Sequence, residues 1–455
     1  KQVVAAKAHG LQALQTALSQ HQLQPNRWVF FSSVAGRFGN AGQTDYAAAN
    51  DWLCKQAYAL SASGAQAIAI DWSAWAEVGM ATRGSIPRIM RMAGVELLQP
   101  HAAAPLVRGL LEAGATGEWL VAGSMGKLAP DNAGQGGVDL LRADAELHRQ
   151  NPTHAMFSHI SAFSSDGGLK LSAELDPSQE AYLHDHAING IPVLPGVVGI
   201  EGFARAAQHV AGVLASARGF KVQRVDDVQF LAPLKFYRNA PRKIEWTAKG
   251  FASEEGIRVE AALESDWLRA NGENNHTLHF QGAVYLSEYA RPQREIRRSK
   301  AWNAAEGISA EEIYKLYFHG PAFQVLAGAQ LSGEDIVGRF NPALAHQPGS
   351  NTAATYPLLL ELCFQTAGLF EIGKMGSMGL PRAVESIRLY SQRMNGLPVF
   401  ALVTPRENPG GLSFDATVVD GDGNVFLEMA RYQTSALPYA LQPELLAPIQ
   451  SHFQA

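Results

Sequence analysis

Apolar positions recur along the chain with two different periods, and the change from one to the other divides it. Within residues 1–125, "VVAAKAHGLQALQTAL" and "TDYAAANDWLCKQAYAL" carry the spacing of helices, while "RWVFFSSVAG" and "AQAIAIDWSAW" are the compact apolar runs of buried strands. "GEWLVAGSM" offers one more strand. Helix followed by buried strand, repeated, predicts an α/β layer with a parallel sheet and helical crossovers.

Residues 126–152 are rich in Gly, Asp, Asn and Pro and then polar, as a linker is. Beyond them the period shortens to that of strands: "HAMFSHISAF", "LKLSAEL", "FKVQRVDDVQFLAPLKF", "RKIEWTAKGFAS", "IRVEAALES" and "TLHFQGAVYLS", interrupted by one long apolar helix, "GVVGIEGFARAAQHVAGVLA". A second polar break, around 288–308, precedes the same arrangement again. Strand-like "IVGRFNPAL" leads to the apolar helix "YPLLLELCFQTAGLFEIGKM", then "ESIRLYSQ", "VFALVTPRE", "LSFDATVVD" and "VFLEMARYQTSAL". Two units, 153–295 and 305–440, each a sheet around one buried helix, predict a tandem α+β duplication, with 441–455 as a C-terminal linker.

Composition narrows the partners. The formal charge of −5 is spread without acidic or basic blocks, which argues against a nucleic-acid footprint and a polybasic membrane anchor. No apolar run reaches the roughly 18 to 20 residues of a membrane span. The opening "KQVVAAKAHG" lacks the apolar core of a signal peptide and lies inside an amphipathic helix pattern, as expected of a piece of a longer polypeptide. Cys54 and Cys363 have neither zinc-site nor disulfide spacing, so a reducing, cytoplasmic setting is expected.

The densest chemistry lies in "HDHAINGIPVLPG", residues 184–196. His186, Gly190 and Pro195 form H-x-x-x-G-x-x-x-x-P. Gly190 lets the chain turn with positive φ or approach a ligand closely, and Pro195 suits the first turn of the helix behind it. The free N–H groups at the start of that helix, Gly196 and Val197, would stabilise a polarised thioester carbonyl while His186 reaches its α-proton. In the second apolar helix Glu361 and Gln365 stand at i and i+4, and burial is expected to raise the Glu361 carboxyl so that it serves as an acid, with Gln365 orienting it. In the first third Ser33 closes a strand and Tyr46 opens a helix. Asn50 lies one turn beyond Tyr46, and Lys7 on the preceding helix is the cation that would help the tyrosine to act as acid or base.

"FSSVAGRFGNAGQTDYAAAN", with "KAHG" upstream and "DWSAWAEVGMA" downstream, resembles the C-terminal half of a polyketide synthase ketoreductase, a short-chain reductase. The resemblance implies that Lys7, Ser33, Tyr46 and Asn50 stand at that family's site positions. No G-x-G-x-x-G turn precedes Lys7, so the segment is read as a partial, Rossmann-like remnant to which NADPH belongs only if the missing half is supplied. The His186 motif and "YPLLLELCFQTAG" resemble the dehydratase domain of polyketide synthases, an α+β double hot dog that pairs a histidine from one half with an acid from the other. Glu361 stands where that family usually has aspartate, and "HGPAF", with His319 and Gly320, where it usually begins with tyrosine. Both variants are similar to iterative synthases of the polyunsaturated fatty acid and enediyne kind.

The resemblance implies elimination of water from a β-hydroxyacyl thioester, with His186 as base, Glu361 as acid, Gln365 orienting and the Gly196–Val197 backbone holding the thioester. The phosphopantetheine arm of an acyl carrier protein would deliver the substrate. Neither metal nor redox cofactor is required, the partners are the carrier and other synthase domains, and a homodimer is compatible. Three rivals stand beside this reading: a cyclase or isomerase on the same fold using the same histidine, a pseudo-dehydratase with a structural or chain-binding role, and a reductase completed by another chain. His184 with His186, or His319 in its Gly-Pro turn, makes no metal site. "DGDGN" at 420–424 lacks the twelfth-position glutamate of a calcium loop, Arg431 standing there, and reads as a hairpin.

Overall fold

The computed structural model describes residues 4–126, 140, 143–145, 147, 156–164, 168–214, 219–253, 255–268, 274–296, 307–344, 353–392, 394–408, 411–437 and 441–453. Most of the stretch read as a linker, 126–152, lies outside them. The chain forms two compact units, Lys1–Gly136 with Ser164–Asp166, and Gly137–Phe163 with Gly167–Ala455. No helix among the described residues is long and apolar enough to cross a membrane.

In the first unit, β1 (Arg27–Ser33), β2 (Gln66–Trp72) and β3 (Gly117–Val121) pair in parallel in that order. The helices α1 (Gly10–Gln20), α2 (Thr44–Ala62) and α3 (Pro105–Glu112) connect and cover them. β2 reads as an unbroken apolar run because both its faces are covered. Leu53, Cys54 and Ala57 of α2 meet Ala67 and Ala69 on one side, and Val107, Leu110 and Leu111 of α3 meet Ile68, Ile70 and Trp72 on the other.

The second unit holds one 13-stranded sheet. Its first half comprises β4 (His159–Ser164), β5 (Gly168–Leu175), β8 (Lys221–Phe230), β9 (Arg242–Ser253), β10 (Gly256–Leu268) and β11 (Asn274–Ser287) around helix α4 (Gly196–Leu214). A small hairpin, β6 (Ala187–Ile188) with β7 (Ile191–Pro192), precedes that helix. The second half comprises β12 (Ile308–Ser309), β13 (Leu326–Ser332), β14 (Asp335–Phe340), β15 (Gly379–Leu389), β16 (Val399–Asn408), β17 (Gly411–Asp420) and β18 (Val425–Ala436) around α5 (Pro357–Met375). The halves join edge to edge where β15 pairs antiparallel with β8, from Ala383 opposite Gln229 to Arg388 opposite Arg224. The expected duplication is therefore present as a double hot dog.

Close approach of helix to sheet depends on glycine. A Cβ on Gly199 would come within 2.5 Å of the Phe280 ring, and one on Gly202 within 2.1 Å of the Trp246 ring. These positions of α4 let the aromatic rings of β11 and β9 lie directly against the helix backbone. α5 is apolar nearly all round, as a helix wrapped by a sheet must be, so its buried Glu361, Gln365, Thr366 and Glu371 stand out.

The last residues differ from the linker expected of them: Pro443–Ser451 form α6, which packs on α5. Lys374 donates to the Phe453 carbonyl at 3.0 Å. The "DGDGN" segment closes the β17–β18 hairpin, with the buried Asp420 carboxylate accepting from the Asp422 and Asn424 backbone at 2.9 and 3.0 Å.

Candidate active site

The sequence Ala-Ile-Asn-Gly-Ile-Pro folds as a two-residue hairpin turn, with Asn189 and Gly190 both at positive φ (51° and 75°), the pattern that Asn-Gly favours. Nothing lies within 4 Å of a Cβ placed on Gly190, so of the two roles read for it the structure selects the turn. The hairpin folds Val193 back onto His186: the Val193 N–H donates to the His186 carbonyl at 2.9 Å, and His186 Nδ1 lies 2.8 Å from the Val193 carbonyl. A carbonyl only accepts, so Nδ1 carries a proton and the basic lone pair of the neutral ring is on Nε2. Pro195 sits immediately before α4 rather than in its first turn, and its carbonyl accepts from Val198 and Gly199 at 3.1 and 3.2 Å. Gly196 and Val197 open the helix, whose first turn holds no acidic residue.

The second half reaches His186 through "FHGPAF". His186 and His319 form an antiparallel bridge, and the Gly320 N–H donates to the Asp185 carbonyl at 2.7 Å. The Asp185 carboxylate accepts from the Ala322 N–H at 2.9 Å, and a Cβ on Gly320 would meet Asp185 Cα at 2.8 Å. Asp185 is thus a clamp that the sequence reading did not single out. The two imidazole rings lie 5.4 Å apart between centroids, and Phe318 and Phe323 stand edge-on to His186 at 5.2 and 5.6 Å. Burial among these rings, followed by the neighbouring His319, lowers the His186 pKa to about 4 despite the opposing charge of Glu361, so it is a neutral base at pH 7.

Glu361 is brought to the same place by α5. Its Oε1 lies 3.2 Å from His319 Nε2 and accepts from Gln365 Nε2 at 2.8 Å. Gln365 also donates to the Phe323 carbonyl at 2.8 Å, while its own oxygen accepts from Tyr314 Oη at 2.9 Å and its backbone carbonyl from Tyr317 Oη at 2.6 Å. Tyr314 follows the one-turn helix Ala310–Ile313, which is held by a Ser309–Glu312 capping box. The reading that Gln365 orients Glu361 fits this geometry; the raised carboxyl pKa does not. Burial does push the Glu361 carboxyl up, but the His319 hydrogen bond, the charges that His319 and His186 carry when protonated, and the Gln365 amide together hold it below its ordinary range. Helix hydropathy registered the burial and not the partners.

The two halves are also tied at Glu201 of α4. Its buried carboxylate accepts from the Ala354 and Thr355 N–H groups at 2.9 Å each, from Thr355 Oγ1 at 2.7 Å and from Arg205 Nε at 2.7 Å. Those residues lead into α5 through Tyr356, held at φ 55° and ψ 61°. A glutamate in an apolar helix was the only signal for this joint.

In the first unit Lys7, Ser33 and Tyr46 line a cavity of about 380 Å³. Lys7 lies in a π-helical turn, Ala5–His9, donates to the Phe31 carbonyl at 2.7 Å, and has its ammonium pKa lowered by burial against the smaller, opposing influence of Cys54. Ser33 Oγ caps the short helix Val34–Phe38 by accepting from the Ala35 N–H at 3.2 Å. Asn50 is buried outside that lining, its amide donating to the Tyr46 carbonyl at 2.8 Å and its Oδ1 without a partner among the described residues. Cys54, Asp71 and Glu118 come together with ligand-type atoms within 4.8 Å of one another, a grouping that no sequence spacing announced. Burial and then the adjacent Glu118 carboxyl raise the Asp71 pKa to about 7.

A double hot dog with a histidine from the first half facing an acid from the second defines a dehydratase-type domain. Residues 154–262 match the family profile described as polyketide synthase dehydratase domain, residues 301–444 the polyketide synthase dehydratase N-terminal domain, and residues 1–77 the KR domain. The chain belongs to the polyketide synthase dehydratase family, with a ketoreductase-related segment ahead of the dehydratase. It is 23% identical over 418 residues to a polyunsaturated fatty acid synthase subunit of Thraustochytrium sp., covering 90% of this chain and 13% of that protein. It is 36% identical over 113 residues to polyketide synthase GfsB of Streptomyces halstedii, covering 25% and 2%. The chain therefore spans a small part of these relatives. Its fold matches the dehydratase domain from the CurF module of curacin polyketide synthase and a trans-AT polyketide synthase dehydratase domain from Brevibacillus brevis. In each case the TM-score is 0.51 at 20% identity, covering 63% of this chain and 99% of the other.

Proposed function

We propose that the second unit removes water from a β-hydroxyacyl thioester, giving the α,β-enoyl thioester. The observation that carries this reading is the meeting of His186 with the His319–Glu361 pair across the two halves. His186 Nε2 takes the α-proton, since Nδ1 is committed to the Val193 carbonyl and the ring is neutral. The N–H groups of Gly196 and Val197, at the positive end of α4, face the thioester oxygen as enolate-like charge develops. The β-hydroxyl leaves at the Glu361 end, which Gln365 holds in place.

The substrate arrives on the phosphopantetheine arm of an acyl carrier protein belonging to a cytoplasmic fatty acid or polyketide synthase. The step itself uses no cofactor. NADPH concerns the ketoreductase-related segment, where Lys7, Ser33, Tyr46 and Asn50 act only once a glycine-rich turn completes them.

The test is intact mass of a carrier protein charged with a 3-hydroxyacyl group. Loss of water with the native chain and none with His186→Ala is the expected result. Unchanged mass across chain lengths and both stereoisomers, with the thioester still bound, would leave a chain-binding pseudo-enzyme instead.

A further inference from the structure

Cys54, Asp71 and Glu118 take no part in the chemistry described so far. They come from three neighbouring elements, α2, β2 and β3, and their ligand-type atoms lie within 4.8 Å of one another. Cys54 and Asp71 are fully buried, and the Glu118 side chain is 8% exposed. Cys54 Sγ lies 3.3 Å from Asp71 Oδ1, close to the roughly 3.5 Å that sulfur and oxygen keep on a tetrahedral zinc ion with ordinary bond lengths.

Asp71 Oδ2 is the atom that asks for a ligand. It is buried without a hydrogen-bond partner among the described residues, and the group beside its carboxyl is a second acid, Glu118. Glu118 has an ion pair with Arg37 at 3.4 Å, whereas Asp71 has none among the described residues. Buried carboxylates are normally paired or bound to a metal, so this oxygen calls for a cation. Burial pushes the Cys54 thiol up to about 12 and, with the Glu118 carboxyl, Asp71 to about 7. Each charge is thus unfavourable alone, and a dication relieves all of them together. Ser32, whose Oγ is 3.3 Å from Cys54 Sγ, also lines the 380 Å³ cavity, which brings a path for ion and water up to the cluster.

We propose that Cys54, Asp71 and Glu118 form a zinc site, with water from the cavity in the fourth position. One thiolate with two carboxylates suits zinc, whereas magnesium and calcium take oxygen alone. As the zinc–sulfur bond forms, the thiol proton leaves to solvent, and both carboxylates bind ionised. The ion ties α2 to β2 and β3, and the site is independent of the dehydratase reading.

Cobalt(II), added to the chelator-stripped full chain, is the probe, because a cobalt–thiolate bond gives a charge-transfer band that carboxylate or histidine ligation does not. The native chain should bind a single equivalent with that band, lose the band when zinc is added, and melt at a higher temperature with zinc than without. Cys54→Ser should abolish the band and Cys363→Ser should keep it. Asp71→Asn should weaken zinc binding at least about tenfold, the loss that even an outer partner of a ligand causes. A stripped native chain that melts cooperatively yet shows no cobalt–thiolate band overturns the proposal and leaves a protonated carboxyl in the cluster. A band that survives Cys54→Ser, or zinc bound as tightly by Asp71→Asn as by the native chain, overturns it as well.

Discussion

Removing the Glu201 carboxylate should loosen the joint between the two halves. In Glu201→Ala the Thr355 N–H and hydroxyl, both buried, lose their acceptor, as do the Ala354 N–H and the Arg205 guanidinium contact. Each buried group left unsatisfied costs about 1–3 kcal/mol, and water can refill the part-buried Ala354 position, so the two Thr355 donors dominate at about 2–6 kcal/mol together. Taking ~3 kcal/mol, the melting temperature should fall by roughly 4–5 °C for a unit of this size. Urea unfolding followed by tryptophan fluorescence should show a lower midpoint at unchanged slope. Dehydration should slow as well, because Ala354 and Thr355 set the entry of α5 and with it Glu361. A loss below about 0.5 kcal/mol, the size of an ordinary surface change, would refute the idea that this carboxylate holds the halves together.

Four further outcomes follow from the same structure. The acid limb of kcat/KM should lie near pH 4 rather than near the ordinary histidine value, since burial, His319 and Glu361 together set the His186 pKa at about 4; a limb near 6.5 would count against His186 as the base. The sign for stability is fixed too: between pH 6.5 and about 4 the unfolded chain binds a proton at this residue that the folded chain does not, so His186 makes the fold less stable as pH falls through that window, read as melting temperature against pH in native and His186→Phe chains. Gly202→Ala places a methyl within 2.1 Å of the Trp246 ring and should cost about 1–3 kcal/mol with an altered near-ultraviolet dichroism of that tryptophan. Gly320→Ala drives its Cβ to 2.8 Å from Asp185 Cα and should lower kcat by displacing His319, with a smaller change in KM.

The repeat of strands around one apolar helix was legible because burial writes period and length directly into a chain: "YPLLLELCFQTAGLFEIGKM" is apolar on every face since a sheet surrounds it. A turn at Gly190 was legible as one of two roles because few residues tolerate positive φ, while Asn189, its partner in the turn, was not singled out. β13, "LAGAQLS", was not, being short, small-residued and without alternation; its place is set by pairing with β14. α6 carries Pro448 and reads as a linker until α5 is there to pack against. The charge state of Glu361 was beyond reach for a deeper reason. Burial and ion pairing push a carboxyl in opposite directions, and which wins depends on the 3.2 Å to His319, a residue 42 positions earlier in the chain.

The central claim is that His186 and Glu361, from different halves, serve one site. The direct measurement is the rate of water loss from a carrier-bound 3-hydroxyacyl thioester in His186→Ala, Glu361→Gln and the double variant. Residues that act as a unit are not additive, so the double variant should be no slower than the more damaged single one. Losses that multiply, or a Glu361→Gln chain as active as the native one, would contradict the account.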